Sequence, residues 1–364
     1  MIRYTANLYI IYKTIAFYFI DYSYTTYMKI REYLKLARSF NAVLTGVSPV
    51  LGAIAMWHFD VIDLILLLLV GFLGHTFGFV FNDIIDYKID KTSKEISDRP
   101  LISGTISVKK AWIFSIITIV LAFLIAFYIG YKNQNFFPII FLVASAAFII
   151  IYDLTSKKLP GMDIFVALGV FFLILYGATI SINSLFDVSQ LAWIVCILGS
   201  IQVLFMQLIA GGLKDIENDY IRGAKSIAIK LGVRIVDGAL KISSKFKALA
   251  YGIQLVDLIV VLLPFFIIWN IKELTILQYI QCISIIFIGI VMFLLSYKLL
   301  SMKRFERMKA RKLIGSHYMI NFMIAPIMLM SVNPWAGILV FLPALGFIFS
   351  NIVLHGTFLQ PKTM

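Results

Sequence analysis

Six residues with side-chain oxygen donors stand at spacings that chemistry could use. Asn82, Asp83, Asp86 and Asp90 fall within "FVFNDIIDYKID", and Asp215 and Asp219 within "KDIENDYIRGAK". On a helix, Asn82, Asp86 and Asp90 recur at i, i+4, i+8, and Asp83, Asp86 and Asp90 at i, i+3, i+7. Asp215 and Asp219 are four apart, so each group shares a face. Like charges stacked this way destabilise an isolated helix by roughly 0.3 kcal/mol per pair, which asks for a compensating cation. Oxygen-only ligands without His or Cys nearby select a hard ion, and a site with positions left for water or phosphate suits Mg²⁺ better than a calcium cage. Fixed positive charge accompanies both groups: Lys88, Lys91, Lys94 and Arg99 beside the first, Arg222, Lys225 and Lys230 beside the second. Metal-holding carboxylates ringed by Lys and Arg read as a diphosphate site. The plainer reading is that these charges only solvate loops. Two helix-spaced groups on one side weigh against it.

The elements that must position these residues are membrane helices. Of 364 residues, 61% are hydrophobic and 14% charged, and the mean hydropathy is +0.94, which excludes an ordinary soluble chain. Apolar runs of about 20 residues, enough to cross the hydrocarbon, predict nine or ten helices. Their cores lie near 39–57, 62–81, 111–130, 136–152, 162–182, 191–212, 249–269, 276–299, 316–332 and 335–355. The run at 316–332 is the weakest, being short, interrupted by Pro326, and carrying His317 and Asn321. Residues 1–35 lack the apolar centre of a signal peptide and are expected as an interfacial or loosely ordered leader. The transmembrane domain covers 36–356, with a C-terminal tail at 357–364.

Basic residues alternate between the two sides. They crowd before the first helix (Arg3, Lys13, Lys29, Arg31, Lys35, Arg38), then between Lys88 and Lys110, at Lys157 and Lys158, between Lys214 and Lys247, and between Lys303 and Lys312. Only Lys132 and Lys272 stand in the opposite loops. The positive-inside rule then makes the N-terminus and the motif loops cytoplasmic. The formal charge of +13 is largely this signal and calls for no nucleic acid, although anionic headgroups or an anionic substrate would be drawn to that face. Cys196 and Cys282 have no partner at a motif spacing. Setting the halves at about 36–160 and 161–300 side by side puts an acidic group after the second helix of each, so two carboxylate sets would face one another across a bundle mouth. Arg38 and Asn41 open the first helix; Tyr152 and Lys157 close the fourth. Gly71, Gly74 and Gly78 are expected to pack the second helix closely against a neighbour.

With "NDIIDYKID" followed by "DRPLISGTIS", with "YDLTSK", and with "KDIENDYIRGAKSIAIKLG", the chain resembles the UbiA superfamily of intramembrane prenyltransferases from about Arg38 to the last helix. The resemblance implies an all-α bundle of nine transmembrane helices around a lipid-filled cavity capped by the motif loops; a tenth helix and the long leader depart from it. It implies that Asn82, Asp83, Asp86 and Asp90 bind one Mg²⁺ with a diphosphate, and Asp215 with Asp219 a second. Arg38, Lys88, Arg99, Lys157, Arg222 and Lys225 would contact diphosphate oxygens, and Asn41 and Tyr152 would position substrate. The implied reaction is prenyl transfer from a polyprenyl diphosphate to an aromatic quinone-type precursor or to a lipid, the latter of the digeranylgeranylglyceryl phosphate synthase type. A transporter is the rival from another class, but transporters keep ionisable groups near the midplane on broken helices, and here they lie at one face. Membrane CDP-alcohol phosphotransferases also use Asp-x-x-x-Asp pairs, but their Asp-Gly-x-x-Ala-Arg opening is absent.

Overall fold

The computed structural model describes residues 28–92, 96–156, 158–217, 219, 223, 225–236 and 239–358. Helix α1 covers 28–36. It is followed by α2 (Ser39–Ala55), α3 (Val61–Ile85), α4 (Val108–Lys132), α5 (Ile139–Thr155), α6 (Asp163–Ala178), α7 (Gln190–Phe205), α8 (Ser244–Ile267), α9 (Ile276–Leu300), α10 (Arg307–Asn321), α11 (Ile324–Leu329) and α12 (Ile338–His355). Most of the leader expected over 1–35, and most of the tail expected over 357–364, lie outside the described residues; the leader's last part is α1.

Helix starts are written locally. Asp60, Ser107, Ser189, Ser243 and Thr275 each precede a long helix and accept a hydrogen bond from a first-turn backbone N–H. A donor that hydrocarbon could not satisfy is thereby satisfied. Six helices are long and apolar enough to cross a membrane: Val61–Ile85, Val108–Lys132, Gln190–Lys214, Ser244–Ile267, Ile276–Leu300 and Pro334–His355. Three shorter apolar helices, Asn41–Ala55, Ile139–Thr155 and Asp163–Ala178, accompany them. Length and composition among the described residues therefore support six spans, short of the nine or ten expected. The run expected at 316–332 is divided between α10, which begins in the polar stretch RMKARK, and the short α11.

Packing is decided where side chains are missing. A Cβ at Gly52 would stand 2.1 Å from the Ile174 carbonyl oxygen, and one at Gly177 would stand 1.8 Å from that of Pro49. Helices α2 and α6 therefore meet backbone to backbone, as small residues allow inside a membrane. Gly71 brings α3 against α2 in the same way, a Cβ there meeting the Thr45 carbonyl oxygen at 2.5 Å. Gly78 faces only a side chain, Ile149 Cγ2 at 3.0 Å, and Gly74 faces open space. The close packing expected of all three glycines holds at Gly71 and is absent at Gly74, which borders a cavity instead.

At one end of the bundle the fully buried Asp63 bonds His58 Nε2 at 2.8 Å, Lys132 Nζ at 2.8 Å and Asn133 Nδ2 at 3.0 Å. Lys132 also reaches Asp60 Oδ1 at 2.8 Å, and this hydrogen bond holds the Asp60 carboxyl below its usual pKa. The cluster ties the start of α3 to the end of α4. It also explains why Lys132 breaks the charge alternation.

The all-α expectation needs one correction. Between α7 and α8, Arg234–Val236 pairs antiparallel with Ala239–Lys241. Ala239 also bridges Arg304, and the Leu240 N–H donates to the Lys303 carbonyl at 3.0 Å. The signal is short but legible: β-branched Ile235 and Val236 run into Asp237-Gly238, the dipeptide of tight hairpin turns. Lastly, α12 lies along α2. A Cβ on Gly346 would meet Val43 Cγ2 at 2.7 Å, the Phe347 ring lies 5.8 Å from that of Tyr318, and Arg31 Nη2 donates to the Leu354 carbonyl at 2.9 Å.

Candidate functional site

Helix α3 runs to Ile85, breaks at Asp86 (φ −81°, ψ −5°) and resumes for the single turn Tyr87–Asp90. The Asp90 N–H donates to the Asp86 carbonyl at 2.8 Å, so the helical spacing survives the break. Asn82, Asp86 and Asp90 consequently line one cavity of about 920 Å³. Asp83 is absent from its lining and points elsewhere. Buried, with 5% of its surface exposed, it accepts from Arg38 Nη2 at 2.7 Å and pairs with Arg99 Nη1 at 3.4 Å. Arg99 bonds Asp90 Oδ2 at 2.9 Å.

Arg38 occupies the turn between α1 and α2 in the left-handed region, φ 47°, a conformation seldom adopted by residues other than glycine. Asp83 and the face of Phe79, 4.7 Å from the guanidinium carbon, hold its side chain there. Both arginines that line the cavity are thus fixed by carboxylates before any substrate binds.

The second acidic group arrives on α7. This helix passes into a π segment, Met206–Gly211, and then the turn Gly212–Lys214, with Asp215 next. A π turn inserts a residue into the helical repeat and is common beside functional sites. Here the segment itself borders the cavity through Met206, Gln207 and Gly211, and the chain beyond it delivers Lys214, Asp215 and Asp219 to the same cavity. The Asp219 N–H donates to the Asp215 carbonyl at 2.9 Å.

Of the remaining expected residues, Asn41, Lys88, Tyr152 and Lys225 also line the cavity. Lys157 and Arg222 lie outside the described residues. Several lining groups had not been singled out: Asp153, Asp163, His75, Gln207 and Lys214. Asp153 and Lys214 were legible, since each adjoins an expected residue in a quoted motif. His75 and Gln207 sit in apolar runs and carried no signal. Asp153 is buried; Asn82 Nδ2 donates to its Oδ1 at 2.9 Å, while its Oδ2 has no hydrogen-bond partner. Asn41 Oδ1 likewise has none. Below the mouth the wall turns apolar, with Ile119 and Ala122 of α4, Leu142 and Ile149 of α5, and Val170 and Leu173 of α6.

The donor set at the mouth consists of carboxylates, an amide and a phenol, without a thiolate. These hard oxygens fit Mg²⁺. Among the described residues no three His, Cys, Asp or Glu groups already converge on one point. Mg²⁺ typically takes one or two carboxylates and leaves its other positions to water and phosphate, so paired carboxylates facing across a mouth are a suitable cradle.

Known proteins share this architecture. A UbiA homologue from Aeropyrum pernix superposes with a TM-score of 0.62 at 16% identity, covering 84% of this chain and 98% of its own. One from Archaeoglobus fulgidus, bound to GPP and Mg²⁺, gives 0.58 at 17% identity, covering 83% and 99%. In sequence, a digeranylgeranylglyceryl phosphate synthase of Sulfurisphaera tokodaii is 26% identical over 212 residues, 57% of this chain and 72% of that protein. Residues 42–313 match the UbiA prenyltransferase family. An apolar helical bundle with both acidic motifs on one cavity, matched over most of its length, belongs to that family: the chain is a UbiA prenyltransferase, an integral multi-pass membrane enzyme.

Proposed function

We propose that the chain transfers an isoprenyl group from a polyprenyl diphosphate to the hydroxyl of a glycerol-based ether lipid within the membrane, with the cavity mouth at the cytoplasmic face. The carrying observation is that both acidic groups, 125 residues apart from Asp90 to Asp215, line one cavity whose deeper wall is apolar. The A. fulgidus neighbour holds GPP and Mg²⁺, which supports the donor class. Relatives named as digeranylgeranylglyceryl phosphate synthases favour the lipid acceptor over the aromatic quinone precursor.

In this reading the allylic C–O bond breaks and pyrophosphate departs with the electron pair. The acceptor oxygen then bonds to the allylic carbon and gives up its proton to the released pyrophosphate. Two Mg²⁺ ions, one on Asn82, Asp86 and Asp90 and one on Asp215 and Asp219, would offset charge growing on the departing oxygens. Arg38 and Arg99, already held by Asp83 and Asp90, grip phosphate oxygens without first being ordered. Lys88 and Lys225 add charge from the exposed rim. Asn41 and Tyr152 orient the bound chain. The apolar wall excludes water from the allyl cation.

Chelation of divalent metal should abolish transfer and added magnesium should restore it. Asp86→Ala or Asp215→Ala should each cost about 3 kcal/mol of barrier, a hundredfold or more in rate. The double variant should fall far short of the product, because both groups act on one leaving group. Turnover that survives chelation, or a folded double variant with near-normal rate, would overturn the reading.

A further inference from the structure

One carboxylate stands far from the mouth. Asp257 lies in the middle of α8 with 3% of its surface exposed, and an ionisable side chain at that depth of a membrane helix needs a reason. Gln254, three residues earlier on the same face, is equally buried. Its Nε2 donates to His317 Nε2 of α10 at 2.6 Å. Gln202 of α7 is near enough to act on Asp257, and its Nε2 donates to the Asn321 carbonyl at 3.0 Å. Asn321 is where α10 stops; α11 resumes at Ile324.

Acceptor atoms are left over in this group. Both oxygens of Asp257 and Oε1 of Gln254 have no hydrogen-bond partner, and neither do two nitrogens of α10, His317 Nδ1 and Asn321 Nδ2. Among the described residues no lysine, arginine or histidine pairs with Asp257. The end of α10 adds to the negative character, since a helix C-terminus presents carbonyls without intrahelical partners and the negative pole of its dipole. An ionised carboxylate without a counter-charge in such a place is costly. Broken membrane helices in general use freed carbonyls and half-helix C-termini to hold alkali cations. Asp257 and Gln254 also border a narrow void with Ile285, Gly289, Met292 and Ile324, one with no room for a water molecule.

We propose that Asp257, the Gln254 side-chain oxygen and the C-terminal end of α10 form a site for one alkali-metal cation of sodium's size, buried among α7, α8 and α10 and separate from the diphosphate site. One carboxylate balances one monovalent charge. A divalent ion would keep a net charge in a low-dielectric interior. A bare Na⁺ is smaller than a water molecule and bonds directly to protein oxygens. The donor set agrees, being hard oxygens without a thiolate. Gln202 stands one turn before Met206, and the His317 ring stacks on Phe205 at 4.5 Å. The ion therefore braces the base of the π segment that delivers Asp215, whichever acceptor the enzyme uses.

The test compares thermal midpoints of the full-length protein in detergent, at fixed pH, Mg²⁺ and ionic strength, with sodium chloride replaced stepwise by choline chloride. Sodium should raise the midpoint by several degrees and saturate, since an ion that binds only the folded state stabilises it by mass action. Choline is too large for the site. Asp257→Asn should remove the sodium response. A midpoint that ignores sodium in the original protein would mean that Asp257 carries a proton instead, and would overturn the proposal. So would a sodium response that survives in Asp257→Asn. If Asp257→Asn fails to fold, Gln254→Met decides. A sodium requirement raised about tenfold, the scale of one polar contact to a charge, supports the site, and an unchanged requirement overturns it. Magnesium dependence of prenyl transfer is read separately, and its failure would overturn the function proposed above without touching this site.

Discussion

Asp83 shows how one side chain in an acidic motif can serve a different end from its neighbours. It leaves the cavity to Asn82, Asp86 and Asp90 and instead joins Arg38 and Arg99 at 2.7 and 3.4 Å, in a setting where all three side chains are largely buried. Removing one member of a buried charge group leaves the others unpaired, a cost of about 3 kcal/mol or more. Asp83→Asn keeps the shape and deletes the charge. It should lower the thermal midpoint of the detergent-solubilised protein and raise the donor KM while leaving the metal requirement intact. An unchanged midpoint would mean that the group behaves like solvent-screened surface pairs. A lost magnesium dependence would return Asp83 to the metal ligands, where the resemblance put it.

Among the elements, the π segment Met206–Gly211 has the clearest consequence. Each residue turns an α-helix by about 100°, so one added residue decides which side chains beyond it meet the cavity. Deleting Leu208 should restore ordinary helical repeat and swing Lys214, Asp215 and Asp219 away from Asp86. Helicity by circular dichroism should hardly change. Activity should fall on the order of a hundredfold or more, as misplacing reacting groups by even an ångström can do. Normal turnover after that deletion would show that the chain past Gly211 sets its own geometry.

For the whole molecule, both acidic groups border one cavity mouth, while the Asp63–Lys132–His58 cluster ties the start of α3 to the end of α4. If basic loops stay inside, a cysteine replacing Lys230 should resist a membrane-impermeant thiol reagent applied to intact cells. One replacing Phe186, which is 99% exposed, should react. Background labelling should be low, because Cys196 is buried and Cys282 lies within α9. The reverse labelling pattern would invert the enzyme and move its mouth to the outer face.

Composition, helix starts, charge alternation and the i, i+4, i+8 spacing of Asn82, Asp86 and Asp90 were all decided by sequence, because each depends on neighbours within a turn or on transfer of a segment from water to lipid. The same information could not say that Asp83 turns to Arg38, that Gly74 borders a cavity while Gly71 touches the Thr45 carbonyl, or that α10 delivers Tyr318 to the wall. In a helix that is apolar all round, the surface facing lipid and the surface facing a neighbour read alike, so periodicity carries little about which face is buried. Only tertiary packing chooses the face. Here the missing side chains at Gly52, Gly71 and Gly177 draw α2, α3 and α6 together, and the bundle they help to form brings two distant acidic groups to one mouth.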